Sequence, residues 1–129
     1  MSGARPAPRV LLVDDNHGFR NELRLLLEDC GIEVVAEGEN GQEAVELASW
    51  TGADVVLMDL RMPVMDGLEA ARALRDRAPA LPVIILSAYE DPALKSEAAA
   101  ANAYAYLVKG CSGGLVLDTI EQAFLETRP

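Results

Sequence analysis

Residues 54–67 have the sequence Asp54-Val-Val-Leu-Met-Asp59-Leu-Arg-Met-Pro-Val-Met-Asp66-Gly67. Its four apolar residues between two aspartates are typical of a strand that is buried on both faces of a sheet. The closing carboxylate, Asp59, then lies at the carboxyl end of that strand. After it, Met62-Pro63 favours an extended or turned backbone, and Asp66-Gly67 begins a helix with a good N-cap. The pattern predicts a strand, a turn and a helix, with Asp59 placed at the joint to bind or to react.

Four further short runs of mainly apolar residues have the composition of strands, and they cover residues 10–13, 32–36, 83–86 and 104–108. A helical pattern follows each predicted strand. The first helix should carry its apolar face on Phe19, Leu23, Leu26, Leu27 and Cys30. Because strands and helices alternate, we expect an α/β fold with a parallel sheet covered on both faces. Residues 1–8 are rich in proline and should form a flexible arm, followed by one domain over residues 9–127.

Composition narrows the classes of function. The chain has 129 residues, with 11 basic against 21 acidic side chains and a net charge of -10. Such a charge repels phosphate backbones and anionic lipid, so we expect neither direct nucleic-acid binding nor membrane association. The sequence has no signal-peptide core or spanning segment, and Cys30 and Cys111 are too far apart for a Cys-x-x-Cys motif. These features favour a cytoplasmic protein with two free thiols.

Polar side chains follow four of the five predicted strands: Asp14 with Asp15, Asp59, Ser87 and Lys109. In a parallel sheet these strand ends share one edge, where ligands bind. Three close carboxylates repel one another by roughly 1 to 4 kcal/mol per pair, which implies a cation. Oxygen ligands with room for water suit Mg²⁺. Asp59 could then accept a phosphoryl group as an acyl phosphate, while Lys109 neutralises its oxygens and Ser87 donates a hydrogen bond.

The chain resembles the receiver domains of two-component response regulators over about residues 8–127. Four segments carry the resemblance in order: Val-Asp14-Asp15, Met-Asp59-Leu-Arg-Met-Pro-Val-Met-Asp-Gly67, Leu-Ser87-Ala88 and Tyr-Leu-Val-Lys109. The resemblance implies a flavodoxin-like, doubly wound (βα)5 fold with strand order 2-1-3-4-5. It also implies phosphorylation of Asp59 by a sensor histidine kinase. Mg²⁺ would be held by Asp15, Asp59 and the Arg61 carbonyl, with Asp14 acting mainly through water.

The same resemblance implies a switch and an output. Ser87 would move onto the phosphoryl group and Tyr106 would turn inward, which changes the surface of the fourth helix, fifth strand and fifth helix. We expect homodimerisation on phosphorylation and a phosphoacceptor domain rather than an enzyme. The segment around Lys109 is similar to regulators with a C-terminal helix-turn-helix domain, so transcription is the expected output, through a domain outside this chain. A stand-alone phosphorelay or interaction protein is the alternative.

Several features leave alternatives open. Many receivers have proline after the lysine, where this chain has Gly110, and a cis bond without proline costs about 3 kcal/mol, so the loop geometry is undecided. His17 is expected to face solvent and Cys111 to be an inert loop thiol. The apolar run 115–117 is either a partner patch or a segment with one residue exposed.

Three other classes of function are less consistent with the residues. A phosphohydrolase with an aspartyl nucleophile would usually need a second acid at position 61, which is arginine. A nucleotide-binding relative would need a glycine-rich phosphate loop after the first strand. A scaffold independent of phosphorylation would not need every reactive position to be present.

Overall fold

The computed structural model describes residues 7–127, so residues 1–6 of the predicted flexible arm lie outside the described part. Five strands and five helices alternate along these described residues. They are β1 (Arg9–Val13), α1 (His17–Asp29), β2 (Glu33–Gly38), α2 (Gly41–Thr51), β3 (Val55–Asp59), α3 (Gly67–Arg77), β4 (Val83–Ser87), α4 (Pro92–Ala100), β5 (Ala105–Val108) and α5 (Gly113–Thr127). The alternation predicted from the sequence is confirmed.

The five strands form one parallel sheet in the order β2-β1-β3-β4-β5. The predicted flavodoxin-like order is therefore correct. β3 lies in the centre, and all five of its residues are buried. Its side chains alternate between two apolar clusters, since Val56 and Met58 join one and Val55 and Leu57 join the other. Helices thus cover both faces of the sheet, and the polar strand ends are left at one edge.

Polar N-cap residues fix the first turns of α1 and α3, the helices that follow β1 and β3. Asn16 caps α1, because its side chain accepts a hydrogen bond from the Phe19 N–H at 2.9 Å. Asp66 caps α3 in the same way through the Glu69 N–H, and the Glu69 carboxylate accepts from the Asp66 N–H in return. Such reciprocal caps satisfy helix-end donors and fix where each helix begins. They therefore hold short loops at the edge of the sheet where the polar residues lie.

Some boundaries differ from the sequence-based prediction. Cys30 was expected on the apolar face of α1, but it is exposed and follows the last helical residue, so that assignment is wrong. β2 extends to Gly38, past the predicted end at residue 36, because Leu12 and Val13 of β1 pair with Glu37 and Gly38. β5 begins at Ala105, one residue later than predicted.

The loop after Lys109 was undecided from the sequence. All peptide bonds within residues 7–127 are trans, including the one to Gly110. Gly110 has φ +96°, a left-handed conformation that glycine adopts without a side-chain clash. The chain therefore turns towards α5 without a cis bond. Within the same described residues, no helix is both long and apolar enough to cross a membrane.

Candidate functional site

The structure brings the predicted site residues together at the carboxyl edge of the sheet. Asp14, Asp59 and Ser87 are buried, with 5%, 8% and 1% of their surface exposed, whereas Asp15 is exposed. Oxygen atoms from Asp14, Asp15 and Asp59 all lie within 4.8 Å of one another. The three carboxylates therefore form one acidic cluster, and it contains the end of the central strand.

Lys109 supplies the positive charge beside this cluster. Its Nζ lies 2.8 Å from Asp14 Oδ2 and 3.6 Å from Asp59 Oδ1. The ammonium also lies 4.4 Å from the centre of the Phe19 ring. The Lys109 backbone N–H donates to the Ser87 carbonyl at 2.6 Å, which joins the ends of β4 and β5. The lysine is thus fixed between two carboxylates and an aromatic face, within reach of Asp59.

The two neighbouring acids of β1 have different surroundings. Asp14 Oδ1 accepts a hydrogen bond from the Asn16 N–H at 2.8 Å, and its Oδ2 binds Lys109. The Asp14 carbonyl accepts a further hydrogen bond from Arg20. By contrast, the Asp15 carboxylate makes no hydrogen bond or salt bridge within residues 7–127. Asp14 is therefore held in place by protein contacts, whereas the Asp15 carboxylate is exposed to solvent.

The Asp59 carboxyl group is more basic than an ordinary aspartate. Its pKa is raised from 3.8 to about 6, chiefly because the group is buried and next because the negative charge of Asp14 lies nearby. Lys109 and the Leu60 N–H, which donates to Asp59 Oδ1 at 2.8 Å, lower this pKa, and Asp15 raises it slightly. At neutral pH the group is still mainly ionised. A buried carboxylate of raised basicity is a better nucleophile than one in water.

A glycine allows α3 to begin directly beside Asp59. A Cβ atom on Gly67 would lie 2.3 Å from the Asp59 carbonyl oxygen, which is too close for any other residue. Instead, the Gly67 N–H donates to the Leu60 carbonyl at 2.8 Å. The motif residues Asp59 and Gly67 are thus in backbone contact. This contact brings the loop that contains Arg61 back over the strand end.

An open cleft of about 430 Å³ lies above the acidic cluster. It is lined by residues at the ends of strands and in the loops that follow them: Asp15, Asn16, Asp59, Arg61, Ser87, Ala88, Tyr89 and Lys109. At its rim, the Arg61 guanidinium lies 5.2 Å from the centre of the Tyr89 ring. The cleft is large enough for a phosphoryl group with a hydrated cation. Its lining contains all the predicted ligands except Asp14.

The two predicted switch residues lie on β4 and β5, next to the cleft. Ser87 Oγ accepts a hydrogen bond from the Tyr89 N–H at 3.1 Å. Tyr106 is partly buried, and its hydroxyl donates to the Tyr89 carbonyl at 2.5 Å. The Tyr106 hydroxyl is therefore held by the loop that follows Ser87.

The donor set of the acidic cluster fits a hard divalent cation. Short carboxylates at this spacing, one of them exposed and without a protein partner, are the ligands that Mg²⁺ prefers. His17 is not part of this set. Its ring is exposed, with Nε2 2.5 Å from Glu39 Oε1 and Nδ1 3.1 Å from the Arg20 guanidinium. The all-oxygen site predicted from the sequence is therefore compatible with the structure.

The site residues predicted from the sequence do not include Arg20 or Glu37, which lie beside the acidic cluster. Arg20 Nη1 lies 2.5 Å from the Asp14 carbonyl oxygen, and its Nε lies 2.8 Å from Glu37 Oε1. Arg20 lies on α1 and Glu37 on β2. Both elements are predicted from the spacing of their apolar residues, which assigns no role to these polar side chains. One sequence feature could have indicated the contact with Asp14: Arg20 lies one helical turn after the N-cap Asn16, and therefore close to the acidic pair Asp14-Asp15.

The chain matches the response regulator receiver domain family over residues 10–121. Receiver domains of this family are phosphorylated by histidine kinases and generally bind Mg²⁺. The chain is 40% identical over 115 residues to the transcriptional regulatory protein PdtaR of Mycobacterium tuberculosis, which covers 89% of this chain and 56% of that protein. It thus spans about half the length of this relative.

A second relative is matched over nearly its whole length, unlike PdtaR. The chemotaxis protein CheY of Listeria monocytogenes is 36% identical over 115 residues, covering 89% of this chain and 97% of that protein. Among solved structures, a LuxR-family two-component response regulator from an Aurantimonas species superposes with a TM-score of 0.89 at 32% identity, covering 95% of this chain and 89% of that chain. Given this sheet order, this acidic cluster and these matches, the chain belongs to the receiver domain family of two-component response regulators.

Proposed function

We propose that this domain accepts a phosphoryl group on Asp59 from the phosphohistidine of a sensor histidine kinase. One observation carries the proposal: Asp59 ends the central strand with a raised pKa, between the Lys109 ammonium and the exposed Asp15 carboxylate. Asp14 is less suited to this role because both of its carboxylate oxygens already have protein partners. In Asp59, only Oδ1 has a partner within residues 7–127, so Oδ2 is left for attack.

The proposed reaction is a transfer without redox change. An Asp59 carboxylate oxygen attacks the phosphorus atom, and an oxygen–phosphorus bond forms while the phosphorus–nitrogen bond to the kinase histidine breaks. The imidazole nitrogen keeps the bonding electrons and takes up a proton. Most of the catalysis in such a transfer comes from position and charge, so the domain assists its own phosphorylation without acting on a separate substrate. We assign dephosphorylation, by attack of water at the same phosphorus atom, to the same site.

Two side chains of the domain stabilise the transferred group in this proposal. Lys109 moves its ammonium from the carboxylates to a phosphoryl oxygen, a short distance given its 3.6 Å separation from Asp59. Ser87 donates a hydrogen bond from its hydroxyl once it releases the Tyr89 N–H. Asp15, Asp59 and the Arg61 carbonyl would hold Mg²⁺, with Asp14 acting through water. When bound, this ion supplies positive charge to the phosphoryl oxygens.

We further propose that the output surface consists of α4, β5 and α5. Movement of Ser87 towards the phosphoryl group leaves room for the Tyr106 ring to turn inward. In the apolar run 115–117, Leu115 is 46% exposed and Val116 is buried, so Leu115 is the residue available to a partner. This change of surface would favour a homodimer of phosphorylated domains, as population shifts in such switches require only a difference in affinity between two states.

The relatives support two kinds of output. PdtaR and several other matched proteins are named as transcriptional regulators, and the chain covers about half of them. This favours control of transcription through a separate effector domain, with no nucleic-acid contact by the acidic receiver itself. The match to CheY over nearly its full length supports the alternative, a stand-alone domain that acts through protein contacts.

A small phosphodonor tests the proposed acceptor. Incubation of the wild-type domain with acetyl phosphate and Mg²⁺ should add one acid-labile phosphoryl group, detected as an intact-mass increase. Asp59→Asn should remain unmodified, while Asp54→Asn, which changes the aspartate directly before the other end of β3, should be modified like wild type. Equal modification of Asp59→Asn and wild type would disprove the assignment.

A further inference from the structure

We infer that Arg20 is a positioning residue for the acidic pair and sets the Mg²⁺ affinity of the site. This inference rests on the proposed function and assigns a role to a residue outside the phosphoacceptor motifs. Arg20 lies on α1, and its side chain is only 12% exposed. It contacts the backbone of Asp14 and does not line the cleft above the acidic cluster.

The Arg20 guanidinium connects three segments. Nη1 donates to the Asp14 carbonyl oxygen at 2.5 Å and lies 3.4 Å from the Gly38 carbonyl oxygen. Nε donates to Glu37 Oε1 at 2.8 Å, and Nη2 lies 3.1 Å from His17 Nδ1. The planar fork of arginine can satisfy these acceptors simultaneously, whereas a lysine ammonium cannot. The ends of β1 and β2 and the start of α1 are thus joined through one side chain.

The bond to the Asp14 carbonyl matters because that carbonyl belongs to the peptide plane between Asp14 and Asp15. Asp15 is exposed, and its carboxylate has no protein partner within residues 7–127. The direction of the Asp15 side chain is therefore set by its backbone. Arg20 fixes that backbone from behind, while the Asp14 N–H donates to the Gly38 carbonyl at 3.0 Å. Groups that orient metal ligands in this way commonly change metal affinity when they are removed.

Arg24 separates this role from a simple effect of charge. It lies one turn further along α1, and its guanidinium also pairs with Glu37, at 3.4 Å, and with Glu28, at 3.1 Å. However, Arg24 makes no contact with Asp14. Arg20→Gln and Arg24→Gln each remove one positive charge from the same helix, and both leave Glu37 with one arginine. Only Arg20→Gln frees the Asp14 carbonyl.

The test measures Mg²⁺ binding without phosphorylation. Thermal unfolding of wild type, Arg20→Gln, Arg24→Gln and Asp15→Ala is followed over a range of Mg²⁺ concentrations, since ligand binding raises the Tm by mass action. We expect the Mg²⁺ concentration that produces a given rise in Tm to be roughly ten times higher for Arg20→Gln than for wild type. Arg24→Gln should match wild type, and Asp15→Ala should lose the shift. The Mg²⁺ dependence of phosphorylation by acetyl phosphate should move in parallel, with the rate at saturating Mg²⁺ close to that of wild type.

Two further variants test the inference in case Arg20→Gln does not fold. Arg20→Lys keeps the charge but not the fork, and Glu37→Gln keeps Arg20 but removes the charge of its carboxylate partner. Both should raise the Mg²⁺ requirement by less than Arg20→Gln does. Equal responses of Arg20→Gln and Arg24→Gln, or an unchanged Mg²⁺ requirement in all Arg20 and Glu37 variants, would overturn the inference. Failure of wild type to be phosphorylated, with the Mg²⁺ shifts as expected, would instead reject the proposed function alone.

Discussion

Ser87 and Tyr106 are both hydrogen-bonded to the backbone of Tyr89, whose N–H donates to Ser87 Oγ at 3.1 Å and whose carbonyl accepts from the Tyr106 hydroxyl at 2.5 Å. A movement of Ser87 towards Asp59 breaks the first of these bonds. The backbone at Tyr89 is then free to shift, which weakens the second. In the proposed switch, Ser87 and Tyr106 would therefore be coupled through one exposed loop residue, Tyr89.

This coupling predicts the behaviour of Tyr106→Phe. The variant keeps the ring but loses the hydrogen bond to the Tyr89 carbonyl, a loss of about 1 kcal/mol or roughly a fivefold shift towards the proposed inward state. Sedimentation velocity with and without beryllofluoride should therefore show more dimer for Tyr106→Phe than for wild type in the absence of the activator. Ser87→Ala should respond less to beryllofluoride than wild type does.

Tyr104→Phe is the matched control for this experiment. Tyr104 also carries a hydroxyl bonded elsewhere, to Glu126 on α5, and it lies two residues before Tyr106. Its removal should not change the response to beryllofluoride. If the wild-type mass is unmoved by the activator, or if Tyr106→Phe and Tyr104→Phe behave alike, the switch residues are not coupled to assembly.

The raised pKa of Asp59 predicts a stability that depends on pH in the metal-free protein. The folded pKa is about 6 and the ordinary value is 3.8, so the unfolded state loses this proton first as pH rises. Asp59 therefore destabilises the fold increasingly between those two values and fully above the higher one. Asp59→Asn should raise the free energy of unfolding by on the order of 2 kcal/mol near pH 7.5, and this gain should vanish near pH 4.

Urea unfolding in the presence of a chelator measures this effect. Asp118→Asn is the control, because it removes a carboxylate from the exposed face of α5 without changing the acidic cluster. It should change stability little at either pH. A gain for Asp59→Asn that is the same at both pH values would show that ionisation of Asp59 is not its source.

Much of the fold was predictable because periodic patterns report burial. Buried runs such as residues 55–58 identify strands of a parallel sheet, and Gly31, with φ +81°, stands past the end of α1 as expected. Cys30 was misplaced because a helical spacing continues in the sequence after the helix itself has ended. The extension of β2 to Gly38 depends on pairing with β1, which local composition does not report.

The convergence of the site residues was also predictable, since the carboxyl ends of parallel strands meet at one edge. The surroundings of each individual site residue could not be predicted in this way. The sequence Asp14-Asp15 gives no sign that the first residue is buried against Lys109 while the second is exposed. The contact of Arg20 with the Asp14 carbonyl joins a side chain on a helix to the backbone of a strand end. Because such a contact depends on the tertiary fold, it produces no repeating pattern in the sequence.

Chemical trapping of the acyl phosphate distinguishes Asp59, the proposed phosphoacceptor, from Asp14 and Asp15. Borohydride reduces an acyl phosphate to an alcohol, so a phosphorylated aspartate becomes homoserine, which peptide mass spectrometry can locate. After phosphorylation with acetyl phosphate and Mg²⁺, we predict homoserine at position 59 and unchanged aspartate at positions 14 and 15. Homoserine at position 14 or 15, or a phosphorylated protein with Asp59 intact after reduction, would contradict this account.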